Sequence, residues 1–146
     1  MNTGRTISYR QDVLDFAAKQ YGTEPEYLWA SAPDYAVLRH QNGKWYGLIM
    51  DVPREKLGLA GPERVDILNV KCDPHMIGSF RRRNGFLPAY HMNRSHWLTI
   101  LLDGTADKET ICSLLDMSYD LIGQGIKKTG ETALQGEINQ AAAIHI

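Results

Sequence analysis

Tyr35-Ala-Val-Leu-Arg-His-Gln-Asn-Gly-Lys-Trp-Tyr-Gly-Leu-Ile-Met-Asp-Val52 is the stretch from which the architecture of this chain follows. Two mainly apolar runs, Tyr35–Gln41 and Lys44–Val52, flank the dipeptide Asn42-Gly43. Both residues of that dipeptide adopt positive φ readily, which the tight turn of a β-hairpin requires. The stretch therefore predicts two antiparallel strands joined by a short turn.

A third strand and a helix are predicted directly after this hairpin. The third strand is Val65–Cys72, in which alternate residues are apolar and face inward. Asp73-Pro74 then begins a helix, because Asp is a favoured N-cap and Pro a favoured first helical residue. Gly85 is the residue expected to end that helix.

The rest of the chain predicts a second hairpin and two more helices. Strands Ala89–Met92 and Trp97–Leu102 form the hairpin around residues 93–96, and a long helix opens at Asp107. Towards the N-terminus a helix is predicted over Ser8–Gln20.

Local signals give the ends of the N-terminal helix. Ser8 and Gln11 are spaced as a capping box, and Gly22 is the expected C-terminal residue. A second capping box at Thr23 and Glu26 predicts a short helical turn up to Trp29.

Together these elements predict an α+β fold, a two-layer sandwich. Because the strands pair as hairpins, the sheet is expected to be largely antiparallel, with the helices packed on one face. One domain is predicted over residues 1–126, followed by a polar C-terminal tail, 127–146.

Composition excludes several classes of protein. Of the 146 residues, 43% are apolar and 23% are charged, as in ordinary globular domains and unlike disordered chains. No stretch approaches the roughly 18 uncharged apolar residues of a membrane span. Residues 1–10 have no apolar run typical of a signal peptide. With only Cys72 and Cys112 as cysteines, we expect a cytoplasmic protein with no membrane association.

The net charge of −1 hides a segregation of charge along the chain. Residues 71–96 hold five lysines and arginines against Asp73 alone, whereas residues 97–122 hold five acidic residues against Lys108 alone. A chain that is neutral overall is therefore expected to present one basic face.

Five motifs, in order along the chain, give the sequence a family resemblance. They are Tyr35-Ala-Val-Leu-Arg-His40, Lys44-Trp-Tyr-Gly-Leu-Ile-Met-Asp51, Lys71-Cys-Asp-Pro74, Gly85-Phe-Leu-Pro-Ala-Tyr-His-Met-Asn-Arg-Ser-His-Trp97 and Leu115-Asp-Met-Ser-Tyr119. With these motifs the chain resembles the MmcQ/YjbR family from about residue 8 to residue 122. The resemblance implies a compact α+β fold related in shape to type III secretion chaperones. It also implies DNA binding through a proposed double-wing arrangement of hairpins.

Candidate DNA-binding residues lie in the basic segment. Guanidinium groups suit phosphate oxygens, and a hairpin tip is able to reach a phosphate backbone. Two alternatives stay open: Arg81–Arg83 complement the macrodipole at a helix C-terminus, and Arg94 is a solvated turn residue. The residues assigned to DNA binding are Lys71, Arg81, Arg82, Arg83, His91, Asn93, Arg94 and His96.

Other chemistry has weaker support in the sequence. His91 and His96 lack further ligands at a zinc-site spacing, so no metal and no cofactor are predicted. No nucleophile elbow, zinc-protease motif, P-loop or dinucleotide fingerprint occurs, so no enzyme is predicted. Four aromatic residues are either stacking platforms for bases or core residues of a two-sided sheet: Trp45, Tyr46, Tyr90 and Trp97. The alternative function is a protein- or small-ligand-binding module without a nucleic-acid role.

Overall fold

One five-stranded antiparallel sheet organises the part of the chain that the structure describes, with spatial order β1-β2-β3-β5-β4. The structure, a computed structural model, describes residues 7–125, and the predicted tail lies outside the described residues. The strands are β1 Ala36–Arg39, β2 Trp45–Pro53, β3 Arg64–Lys71, β4 Phe86–Pro88 and β5 Trp97–Leu101. The helices are α1 Arg10–Tyr21, α2 Pro74–Arg81 and α3 Lys108–Gly125.

All three helices pack on one face of the sheet, as predicted. Ile77 of α2 and the buried faces of α1 and α3 lie in one core with Leu68 and Ile100 of the central strands. Each of these side chains is removed from water, which supplies most of the stabilisation of such a layer. The α+β two-layer prediction is confirmed.

The opposite face of the sheet, here called the loop face, is also buried. Irregular segments cover it instead of helices, and its core includes Trp45, Ile67 and Trp97 at most 3% exposed. Trp29 and Tyr90 from two of the covering loops pack against that core. The sheet therefore holds two apolar cores, and Trp45, Tyr46 and Trp97 are core residues, which is one of the two alternatives given for them.

The two ends of the sheet follow from the strand register. Lys71 pairs with Trp97 at what we call the upper end, where the β1–β2 turn also lies. Arg64, Leu101 and Phe86 lie towards the opposite, lower end.

Both edge strands are short. β4 has three residues and ends at Pro88, while β1 is partly covered by an isolated bridge between Glu26 and Val37. Arg39 secures that bridge through two hydrogen bonds to the Glu26 carboxylate, both 2.9 Å.

The second hairpin differs from its prediction. Its first strand is Phe86–Pro88, not Ala89–Met92. Ala89 and Met92 are buried as predicted for apolar residues, but they cover the loop face instead of extending the sheet. The apolar pattern of residues 89–92 correctly predicted that Ala89 and Met92 are buried, but it wrongly predicted that these residues pair as a strand.

The predicted second capping box does not form. Thr23 is buried and its Oγ1 accepts a 2.6 Å hydrogen bond from the Tyr46 hydroxyl, while Glu26 pairs with Val37. The segment is therefore extended where the sequence predicted a helical turn.

The sequence predicted some helix ends correctly and others wrongly. Gly22 ends α1 in the left-handed conformation at φ 70°, as predicted, but Gln11 donates to Asp15 and takes no part in a capping box. Asp73 caps α2 as predicted, accepting from the His75 backbone N–H at 2.9 Å. That helix ends earlier than predicted, with Arg82 and not Gly85 at its C-cap.

Candidate functional site

The predicted site residues fall into three places. Arg81–Arg83 lie where α2 ends, at the lower end of the sheet, and immediately precede the loop into β4. Lys71, Asn93, Arg94 and His96 lie together at the upper end, around the start of β5. His91 belongs to neither group and lies on the loop face.

Within the lower group the three arginines are not equivalent. All three are exposed, but within residues 7–125 only Arg83 has ring contacts. The Arg83 guanidinium lies 5.3 Å from the Phe80 ring centroid and 5.2 Å from that of Phe86. Hydrogen bonds from Thr110, and secondarily the charge of Arg83, hold the pKa of Asp107 below its usual range. Arg83 is therefore partly committed to the fold, and Arg82 is the better phosphate ligand.

In the upper group Arg94 is the residue directed to solvent. Asn93 organises the turn, since its backbone oxygen accepts from the N–H groups of His96 and Trp97 and its Oδ1 accepts from that of Ser95. Lys71 Nζ lies 5.7 Å from the Trp97 ring centroid. These contacts make the turn a firm support for Arg94.

His96 is less accessible than the sequence suggested. Its Nδ1 is buried without a hydrogen-bond partner among residues 7–125, and its backbone oxygen accepts from the Cys72 N–H at 2.9 Å. Of the two ring nitrogens of His96, at most Nε2 is therefore accessible to a ligand at the protein surface.

The two arginine groups do not form a single patch. They flank opposite ends of β5, whose five residues span about 14 Å at a rise of about 3.4 Å per residue. Any ligand that contacts both groups must therefore be extended along the β4–β5 hairpin.

His91 opens onto a groove of about 620 Å³ on the loop face. Tyr35, Arg64 and Tyr90 also line the groove, together with the loop at residues 31–34 and with Asp51, Pro53 and Lys56. Arg64 donates from Nε to Asp51 Oδ1 at 3.1 Å and from Nη2 to the Asp51 backbone oxygen at 2.8 Å. A guanidinium is thus held in a fixed orientation at the wall of a small-molecule-sized depression.

Two buried polar side chains hold the groove loop. Thr99 Oγ1 accepts from the Tyr90 N–H at 2.8 Å and donates to Asn69 Oδ1, while Asn69 Nδ2 donates to the Tyr90 backbone oxygen at 2.9 Å. Asn69 and Thr99 are both fully buried in the middle of the sheet. Burying polar groups costs free energy unless they are hydrogen-bonded, and here both bond the backbone of Tyr90.

The residue after Tyr90 has an unusual backbone. His91 has φ 62°, and it is the single non-glycine residue with positive φ between residues 7 and 125. Such a conformation is strained for a residue with a Cβ, and strain of this kind concentrates at binding sites. Sequence reasoning placed His91 with Arg94, and it missed Tyr35, Lys56 and Arg64 entirely.

The described residues give little support for a metal site or a reactive cysteine. Within residues 7–125 no three His, Cys, Asp or Glu side chains lie together as a metal site would need. Burial raises the pKa of the Cys72 thiol to about 11, which keeps it protonated at neutral pH. Over the same residues no helix is long and apolar enough to cross a membrane.

Comparison with known proteins places this fold and its site residues in a family. The YjbR family model matches residues 18–121, which is more than half of the chain. The chain belongs to the YjbR family. The YjbR match spans both arginine groups and the whole groove.

Relatives of known sequence and structure agree with this assignment. The "Uncharacterized protein YyaQ" of Bacillus subtilis (strain 168) is 45% identical over 113 residues, 77% of this chain and 96% of YyaQ. A Pseudomonas syringae protein is similar in its crystal structure, with 48% identity, a TM-score of 0.75, and coverage of 77% of this chain and 97% of that one.

A more distant structure shares the YjbR fold alone. A Deinococcus radiodurans protein with a DUF419 domain is 21% identical, with a TM-score of 0.63 and coverage of 91% of this chain and 92% of that one.

Proposed function

We propose that this YjbR-family protein binds DNA with little sequence preference, through arginine contacts to backbone phosphates. The observation that supports this function is the pair of exposed arginine groups at the two ends of one edge hairpin. Arginine suits such contacts because its planar fork donates two hydrogen bonds to a phosphate.

The placement of the two groups suits an extended ligand. Because they lie at opposite ends of β5, Arg82 and Arg94 would meet separate phosphates of one nucleic-acid backbone. Phosphate contacts position a protein on DNA without reading bases, so the expected binding is weak and tolerant of sequence.

The protein is expected to contact only a few DNA phosphates. Arg83 is also exposed, but its guanidinium is engaged by two aromatic rings, so Arg81, Arg82 and Arg94 are the expected phosphate contacts. If about three phosphates are neutralised, the slope of log affinity against log salt should be about −2.7. Affinity should then fall roughly 40-fold between about 50 and 200 mM salt.

Fluorescence anisotropy with a short labelled duplex tests this proposal. Arg94→Ala and Arg82→Ala should each lower affinity and reduce the salt slope by about 0.9, one phosphate contact. Arg64→Ala is the matched control, because that arginine lies in the groove and should leave the slope unchanged. Absence of binding at about 100 μM protein, or unchanged slopes for both test variants, would show that DNA is not the ligand.

We further propose a binding role and not a catalytic one, in the cytoplasm. Support for a non-catalytic role comes from Cys72, whose thiol is buried and protonated at neutral pH. Support for the cytoplasm comes from Cys72 and Cys112, which are both free thiols, as reducing compartments maintain them.

A small-ligand-binding module is the second candidate function, and the groove on the loop face favours it. A protein-binding surface has less support. In the described part of the chain the large exposed apolar side chains are Ile7, Tyr27 and Leu28, fewer than a contiguous docking patch needs.

A further inference from the structure

We infer that the groove on the loop face binds a small aromatic anion, meaning a planar ring that carries one phosphate or carboxylate group. This inference rests on the second candidate function and is independent of DNA binding. The groove has a volume of about 620 Å³, which lies within the range of small-molecule sites, about 300–1,000 Å³.

Arg64 and Lys56 are the cationic residues that line the groove. Two of the Arg64 nitrogens are fixed by Asp51, yet the Arg64 side chain remains 57% exposed. No hydrogen bond within residues 7–125 engages its Nη1, so this donor is oriented in advance for a ligand. Lys56 also lines the groove and adds a second positive charge.

The acidic residues of the groove limit the charge of the ligand. Asp34 and Asp51 also line it, so the two cations are balanced before a ligand arrives. One phosphate or carboxylate group can pair with the exposed Arg64 guanidinium, whereas each further anionic group would meet the carboxylates of Asp34 and Asp51.

Aromatic side chains line the same groove beside Arg64. The Tyr90 and His91 rings lie 4.0 Å apart between centroids, with their planes at 65°. Burial raises the pKa of both Tyr35 and Tyr90, and the charge of Arg64 acts in the opposite direction on each hydroxyl. The two phenols and the guanidinium therefore converge on one space, with flat apolar surface beside a cation.

The loop that carries Tyr90 and His91 covers the loop face of the sheet, and hydrogen bonds also hold it in a defined position. The Asn69–Thr99 pair hydrogen-bonds both backbone polar groups of Tyr90. His91 keeps a left-handed backbone at which glycine would carry no strain. The His91 imidazole is exposed and lines the groove, where a ligand would meet it.

Isothermal titration calorimetry of the full chain tests the inference with four probes. Adenosine 5′-monophosphate and 4-hydroxybenzoate carry a ring with a phosphate or a carboxylate, whereas adenosine and inorganic phosphate each lack one half. At least one ring-bearing anion should bind at least tenfold more tightly than both half-probes, and the better of the two is used with the variants.

Variants locate the binding. Arg64→Gln should weaken the binding of the ring-bearing anion at least tenfold, and Arg94→Ala, on the predicted DNA surface, should leave it unchanged. His91→Gly should also weaken binding while raising the unfolding temperature, because glycine relieves the left-handed strain. A merely structural His91 would give the stability gain without the loss of affinity.

The outcomes separate the two levels of the proposal. Equal binding of adenosine and its monophosphate, insensitive to Arg64→Gln, overturns the anion assignment and leaves a small-ligand function standing. No binding of any probe at 5 mM, on the order of the weakest useful affinity, overturns both. Binding that is unaffected by both groove variants shows that the groove is not the site.

Discussion

His40 is a residue whose surroundings favour its neutral form. Its ring stacks on Tyr119 with centroids 4.1 Å apart, and its Nδ1 accepts a 3.0 Å hydrogen bond from the Asn42 N–H. A protonated Nδ1 cannot accept that bond. Burial lowers the pKa of His40, while the charge of Asp120 opposes the shift.

The first prediction is a loss of stability in acid that originates at His40. Because its folded pKa lies below the unfolded value of about 6.5, the contribution is complete above pH 6.5 and declines as pH falls towards the folded pKa. One proton gives a slope of at most about 1.4 kcal/mol per pH unit. Urea unfolding at a series of pH values measures it. His40→Gln should flatten the curve between pH 6.5 and 5, and an unchanged curve would assign the acid sensitivity to other groups.

The second prediction concerns the buried Asn69–Thr99 pair. Thr99→Val replaces the hydroxyl with a methyl group of similar size and leaves the Tyr90 N–H and Asn69 Oδ1 without their partner. Each unsatisfied group should cost about 1–3 kcal/mol in the free energy of unfolding. Thr99→Ser keeps the hydroxyl and is the matched control. Equal losses in the two variants would show that the methyl packing of Thr99 matters and its hydrogen bonds do not.

At the scale of secondary-structure elements, β5 is the strand on which both neighbours depend. It pairs with β3 on one side and β4 on the other, and Ile100 at its centre is fully buried beneath the helices. The third prediction is that Ile100→Ala costs roughly 2–5 kcal/mol, because the truncation loses transfer energy and leaves a cavity. Chemical denaturation measures the loss, with the exposed Glu109→Ala as the surface control. A loss under about 0.5 kcal/mol would place Ile100 outside the core.

Elements with a strong local signal were predictable from the sequence. Asn42-Gly43 gives the first hairpin, and Asp73 gives the start of α2, because in each case the deciding interactions lie within a few residues. The register of the second hairpin was not predictable in this way. Ala89 and Met92 have the apolar pattern of a strand, yet their burial comes from crossing the loop face.

The candidate site was predictable only in part for a related reason. Arg82 and Arg94 are recognisable in the sequence as exposed basic residues, but their placement at opposite ends of β5 depends on strand register. The groove joins residues 31–35, 51–64 and 90–91, which nothing local connects. Its one sequence signal is the pair of polar residues, Asn69 and Thr99, at inward positions of otherwise apolar strands.

At the scale of the whole molecule, one sheet serves two cores that different spectroscopic probes report separately. The three tryptophans, Trp29, Trp45 and Trp97, all pack on the loop face, whereas all three helices lie on the other. Tryptophan fluorescence therefore follows one core, and the helical circular dichroism signal follows the other.

The fourth prediction is that the two signals change together during unfolding. Neither core survives without the strands that both share, so a two-state transition with one midpoint is expected. Guanidinium titration with both probes on the same samples measures this. Midpoints that differ beyond error would show that the loop face opens while the helical layer persists.

The short edge strands have a consequence for the behaviour of the protein at high concentration. An exposed edge is a template on which the strand of a second molecule pairs, the first step towards aggregates. β4 offers only three residues and ends at Pro88, which has no N–H to donate, while the Glu26–Val37 bridge occupies part of the β1 edge. Both edges of the sheet therefore resist pairing with a strand of a second molecule. The protein is thus protected from aggregation through its sheet edges.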